Sequence, residues 1–197
     1  MQILMMDWAR LVPWAASGSP ACLLALLVTA HTVWSTEPPR VRVGSKIFTE
    51  SVVLGEIVTL LARDGGATAD HRAELGGTQI LWKALLAGEI DAYVEYTGTI
   101  REEILAPLLR QGNPLASESA LRAALSDQGV LMSERIGFNN TYALGMRERL
   151  ARSLSIRTIE DLVRHSQLKF GFSSEFMERD DGWPGLRTRY SLPQRDV

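Results

Sequence analysis

Few side chains in this sequence are placed for covalent chemistry. His31, His71 and His165 are scattered and share no metal-ligand spacing. Cys22 is the single cysteine, so no internal disulfide can form. No nucleophile–base pair, paired-carboxylate signature or glycine-rich phosphate loop stands out. Binding chemistry remains. The rings of Tyr96 and Tyr142 either hold a cation by cation–π attraction or serve as packing tyrosines with a wet hydroxyl. Lys46 lies in a turn between a strand and a helix, as a solvated charge or as a contact at the edge of a cleft. Gly76, Gly77 and Thr78 offer backbone N–H groups at a helix start, suited to an anion or to a plain tight turn with an N-cap. Trp82 and Trp183 read as packing residues.

These residues need elements to bring them together. Residues 41–45 alternate as a strand. Thr49 then caps a helix, with Glu50 near its positive end and Val53, Ile57, Leu60 and Leu61 at helical spacing. Asp64, Gly65 and Gly66 end it. Residues 69–75 form a weak strand, broken by Gly76 and Gly77. Thr78 caps a helix carrying Leu81, Trp82, Leu85 and Leu86, and residues 91–96 form a third strand. This order predicts right-handed βαβ units in a parallel sheet, with ligand beyond the carboxyl ends of its strands. The turns at Ser45 and Lys46, at Gly76 and Gly77 and over 96–99 therefore converge on one cleft edge. Helices follow over 100–109 and 117–128. Strands are expected at 130–136, 142–146 and 168–172, with helices from Thr158 and from 173–175. A second α/β lobe begins near Thr141 with few strands.

Composition narrows the class. The 197 residues are 46% hydrophobic and 22% charged, an ordinary globular balance. A formal net charge of -2 argues against nucleic acid as a partner. At the N-terminus, Arg10 precedes an apolar core at 21–28, a small residue at Ser35, and Pro38 and Pro39. That reads as a secretory leader over 1–35, cleaved near Ser35, with an uncleaved anchor as the competing reading. Cys22 then belongs to the leader.

Five collinear blocks carry a resemblance. They are Val43-Gly44-Ser45-Lys46-Ile47-Phe48-Thr49-Glu50, then Leu75-Gly76-Gly77-Thr78, then 88–99 (GEIDAYVEYTGT), then 137–144 (GFNNTYAL), then 170–176 (FGFSSEF) with Asp181-Gly182. Together they resemble the glycine betaine, choline and related osmoprotectant-binding proteins of ABC transporters. The resemblance implies an α/β fold, a type II periplasmic-binding-protein clamshell, with a parallel-sheet lobe 1 over 41–139 and an incomplete α/β lobe 2 over 140–197. Such a clamshell closes by hinge motion on solute held between its lobes. Carried over residue by residue, Tyr96 and Tyr142 are implied to form an aromatic cage for a trimethylammonium group. Lys46 and Thr99 contact the ligand's polar end, and Arg179 binds its carboxylate. For Thr99 the competing role is the cap of the helix from Ile100. For Arg179 it is a surface salt bridge with Glu178, Asp180 or Asp181.

The implied protein is periplasmic and monomeric, binds glycine betaine, choline, carnitine or ergothioneine, and delivers it to an inner-membrane permease. It needs no cofactor, no metal and no catalysis. The family's chain continues past 197, supplying further cage tyrosines and finishing the second lobe. The alternative reading is therefore a truncated, non-binding remnant or sensor domain, expected to bind weakly and aggregate. An enzyme on the same scaffold is the remaining competitor, without a catalytic constellation to support it.

Overall fold

In the computed structural model, residues 2–6, 37–112, 114–137, 139–195 and 197 are described. The leader's apolar core, Cys22 and His31 lie outside them. The alternating stretch after Pro39 forms β2 (Arg40–Gly44), preceded in the chain by β1 (Gln2–Met6). Helix α1 (Thr49–Asp64) leads to β3 (Thr68–Arg72), and α2 (Thr78–Leu86) leads to β4 (Ala92–Glu95). β2 pairs in parallel with both β3 and β4, with Val43 opposite His71 on one side and Ala92 on the other. These two crossovers are the βαβ units that the sequence predicts. β4 is buried along its whole length, as a strand covered on both faces must be.

The sheet as a whole is mixed, a correction to the expected parallel lobe. Its order is β3-β2-β4-β1-β5. β1 runs antiparallel to β4, Leu4 opposite Tyr93, and antiparallel to β5 (Val130–Met132), Leu4 opposite Met132. Residues 2–6 thus supply an interior strand from a segment whose sequence reads as the start of a leader.

Helix α1 turns its small residues inward. Ser51, Gly55 and Thr59 are buried, whereas Val53, Ile57, Leu60 and Leu61 are exposed. Gly55 sits so close to His71 that a Cβ there would meet the ring Nε2 at 2.5 Å. After β4 the chain passes through a short helical turn α3 (Thr97–Thr99), a π-helical turn (Ile100–Ile104), α4 (Ala106–Arg110) and α5 (Glu118–Ser126). Ser117 caps α5 by accepting the Ala120 N–H at 3.1 Å. Leu4, Leu81, Leu85, Tyr93, Ile100, Leu125 and Val130 form the core of this region.

The remaining chain builds a second, separate core from Ile156, Leu162, Phe176, Trp183 and Leu192. Around it lie α6 (Glu148–Ser153), a 3-10 turn (Glu160–Arg164), α7 (Ser174–Glu178) and α8 (Trp183–Tyr190). Among the described residues of 139–195 no strand forms, which corrects the expectation of strands at 142–146 and 168–172. A strand exists only with a hydrogen-bonding neighbour. Here the apolar side chains of those segments join an aromatic cluster instead. Phe170 and Phe172 stack against Trp183 at 5.5 and 5.3 Å, and Tyr142 against Phe176 at 4.8 Å.

Candidate functional site

The turns that leave β2 and β3 are stitched together by their own backbone. Leu75 N–H donates to Ser45 O at 3.0 Å, and Ile47 N–H to Gly76 O at 3.3 Å. This stitching carries Lys46 over the start of α2. Its ammonium donates to Thr78 Oγ1 at 2.8 Å and to Glu95 Oε1 at 2.9 Å, where β4 ends. The Thr78 hydroxyl in turn donates to Glu175 Oε1 at 2.7 Å, on α7 of the second core. Glu175 also lies beside Gly77, so the anion at the start of α2 is the chain's own carboxylate. Lys46 is only 3% exposed. Its charge therefore ties the two regions together, with protein partners already around the ammonium.

Tyr96 follows β4 directly. Its hydroxyl donates to Glu50 on α1, and Asn140 Nδ2 donates to both Glu50 Oε2 (2.9 Å) and the tyrosine oxygen (3.2 Å). Burial, helped by the Glu50 hydrogen bond, pushes the Tyr96 hydroxyl up to about 12. The phenol is therefore protonated at neutral pH and keeps its ring oriented by donating to Glu50.

Arg179, at the end of α7, grips Asp181 with both arms, at 2.8 and 2.7 Å, and donates to Thr99 Oγ1 at 3.2 Å. Burial alone would lower its pKa, but the paired Asp181 carboxylate holds it above the ordinary arginine value. The guanidinium carbon lies 5.7 Å from the centre of the Tyr142 ring, within cation–π range. Tyr142 remains 61% exposed.

All five side chains singled out in the sequence border one open cleft of about 580 Å³: Lys46, Tyr96, Thr99, Tyr142 and Arg179. Two of the three turns expected at the cleft, at Lys46 and over 96–99, line it, whereas the Gly76-Gly77 turn is hydrogen-bonded to the first without lining the cleft. The sequence pointed to Asp181 as an ion-pair partner of Arg179, and that pair forms, but Glu50, Glu95 and Glu175 were not singled out for the site. Glu50, Glu175 and Asp181 also line the cleft, and Glu95 closes it from behind Lys46. The lining of the cleft carries Lys46, Arg101, Arg135 and Arg179 against Glu50, Glu118, Glu175 and Asp181. One oxygen of Glu95 and one of Glu175 are buried without a hydrogen-bond partner. Glu95 carried one signal in the sequence, a carboxylate following Tyr93 and Val94 at the end of an otherwise apolar strand. Among the described residues no group of three or more His, Cys, Asp or Glu is placed to hold a metal ion.

Residues 39–197 match the family described as the substrate binding domain of ABC-type glycine betaine transport system. Among curated proteins, the chain is 32% identical to the ergothioneine transport permease/ergothioneine binding protein EgtU of Helicobacter pylori (strain G27), over 87% of this chain and 32% of that protein. It is 29% identical to the glycine betaine-binding protein YehZ of Escherichia coli (strain K12), over 91% of this chain and 58% of that protein. The solved structure of apo YehZ from Escherichia coli aligns with a TM-score of 0.47 at 28% identity, covering 79% of this chain and 57% of the other. The chain spans from about a third to just under three-fifths of the length of these curated relatives.

Proposed function

The chain belongs to the family of substrate-binding domains of ABC-type glycine betaine transport systems, and from that premise we propose that its cleft captures a quaternary-ammonium solute for a membrane permease. The family binds and does not transform its ligands. The solute class is glycine betaine, choline, carnitine or ergothioneine, taken up outside the cytoplasm. Residues 41–139 act as one lobe, residues 140–197 contribute to the other, and the leader directs export.

The observation that carries this reading is the meeting of two tyrosines, with carboxylates beside them, around one cleft. A trimethylammonium group cannot donate strong hydrogen bonds, so aromatic faces and nearby negative charge are what can hold it. Tyr142 presents an exposed ring, and the Arg179 guanidinium lies 5.7 Å from its centre, within the range of cation–π attraction. Tyr96 is fixed by Glu50 and Asn140, which limits the ordering cost of a bound state. Arg179 is engaged by Asp181, so a ligand carboxylate must share or displace that partner. Solutes with no carboxylate avoid that exchange.

Calorimetric titration of the full-length protein with the four solutes tests the assignment. At least one is expected to bind. Replacing Tyr142 with Ala is expected to weaken binding by about 5- to 30-fold, the equivalent of about 1–2 kcal/mol of cation–π attraction. Tyr142→Phe keeps the ring and stays close to the parent. Absence of binding to all four at millimolar concentration refutes the solute class.

A further inference from the structure

We infer that Glu175 sets which quaternary-ammonium solutes the cleft accepts, by holding its own carboxylate where a solute's carboxylate would go, so that choline-like cations are preferred over betaines. The preference presupposes that the cleft takes a quaternary ammonium. One oxygen carries the arrangement. Glu175 Oε1 accepts the Thr78 hydroxyl at 2.7 Å, and stands 4.0 Å from the Lys46 ammonium and 3.8 Å from Arg179 Nη1. Lys46 and Arg179 are the two cations that the family resemblance assigns to the ligand's polar end. They already share one anion, and the chain supplies it.

Local structure holds the carboxylate there. Ser173 caps α7 by accepting the Phe176 N–H at 3.3 Å, and Glu175 and Arg179 follow one turn apart on the same side. The side chains of Lys46 and Arg179 are each 4% exposed and that of Glu175 is 15% exposed, so water and salt screen these charges weakly. The cations have little left for a second anion. Lys46 also binds Glu95 at 2.9 Å, while Arg179 grips Asp181 with both arms and has Glu103 at 3.8 Å.

A solute carboxylate brought to this end would stand beside that of Glu175, and like charges in a poorly screened site repel. Glu175 Oε2 is buried next to Gly77 without a hydrogen-bond donor. The group therefore has acceptor capacity to spare, which a second carboxylate, itself only an acceptor, cannot use. A hydroxyl at the same end of the solute brings a donor and no charge. Rejection of the betaine and tolerance of the alcohol thus come from one side chain, as specificity built on an unfavourable contact does.

Two variants of the full chain provide the test. Glu175→Gln removes the charge but keeps the size and an acceptor for Thr78, whereas Glu175→Ala empties the anion position. In calorimetric titrations the parent is expected to prefer choline to glycine betaine, and Glu175→Gln to shift that ratio toward glycine betaine by about 10-fold or more. Acetate probes the anion position with no quaternary ammonium present. Against chloride at matched ionic strength, acetate is expected to raise the melting midpoint of Glu175→Ala in a dose-dependent way and to leave the parent and Glu175→Gln unmoved. Should the alanine variant not fold, the Glu175→Gln titrations decide. The inference falls if acetate and chloride act alike on a folded Glu175→Ala, or if the choline-to-glycine betaine ratio is the same in the parent and Glu175→Gln. Rescue by acetate with neither solute bound would refute the quaternary-ammonium reading and still support Glu175 as the occupant of an anion position.

Discussion

Lys46 and Glu95 are the side chains on which the site's geometry turns. They meet at 2.9 Å with almost no exposure, so each neutralises a charge that the interior would otherwise tolerate badly. Lys46→Met is expected to cost about 3–5 kcal/mol, because Glu95 is then left buried and uncompensated. Lys46→Met combined with Glu95→Leu is expected to recover a large part of that loss. Denaturant melts of the two singles and the double give the coupling directly. A single variant as stable as the parent would show that the ammonium is not a clamp. At this scale the sequence was partly legible. Lys46, Tyr96, Thr99, Tyr142 and Arg179 stand in motifs whose turns leave strand ends, and all five border the cleft. The Asp181 partner of Arg179 was legible from its place two residues on, but the Glu95 partner of Lys46 was not, because it lies 49 positions away and nothing in local spacing marks the pair.

Elements show a different limit. The apolar period of α1 reveals a helix but points to the wrong face, since Val53, Ile57, Leu60 and Leu61 look outward. Close approach to β3 selects Ser51, Gly55 and Thr59 for the inner face, and periodicity alone does not weigh side-chain size against room. The strands expected at 142–146 and 168–172 failed for a related reason, because alternation cannot supply a pairing partner. The corner between α7 and α8 is where an element most directly controls the site. A Cβ at Gly182 would meet the backbone oxygen of Phe176 at 2.0 Å, a contact that only backbone movement can relieve. Gly182→Ala is therefore expected to destabilise the protein by about 3 kcal/mol. It also shifts Glu175 and Arg179 and so weakens binding, with loss of near-ultraviolet dichroism from Trp183. A variant with parental stability and dichroism would contradict this packing.

Seen whole, the described residues form two hydrophobic cores and a cleft whose walls are hydrogen-bonded across them, through Thr78 to Glu175 and Thr99 to Arg179. The α/β plan of the first core and the convergence of its turns could be read from the βαβ order. The antiparallel insertion of β1 could not, because residues 2–6 resemble the start of a leader as closely as they resemble a strand. What unites the scales is the proposal that the rings of Tyr96 and Tyr142 at the cleft hold a methylated cation. The most direct measurement compares the affinity of the full-length protein for choline with that for 3,3-dimethylbutan-1-ol, which has the same shape with carbon in place of the charged nitrogen. Choline is expected to bind roughly 30-fold more tightly or better, the equivalent of about 2 kcal/mol for a desolvated cation on aromatic faces. Equal affinity for the two would mean that the cleft reads shape and apolar area alone, and the account would be wrong at its centre.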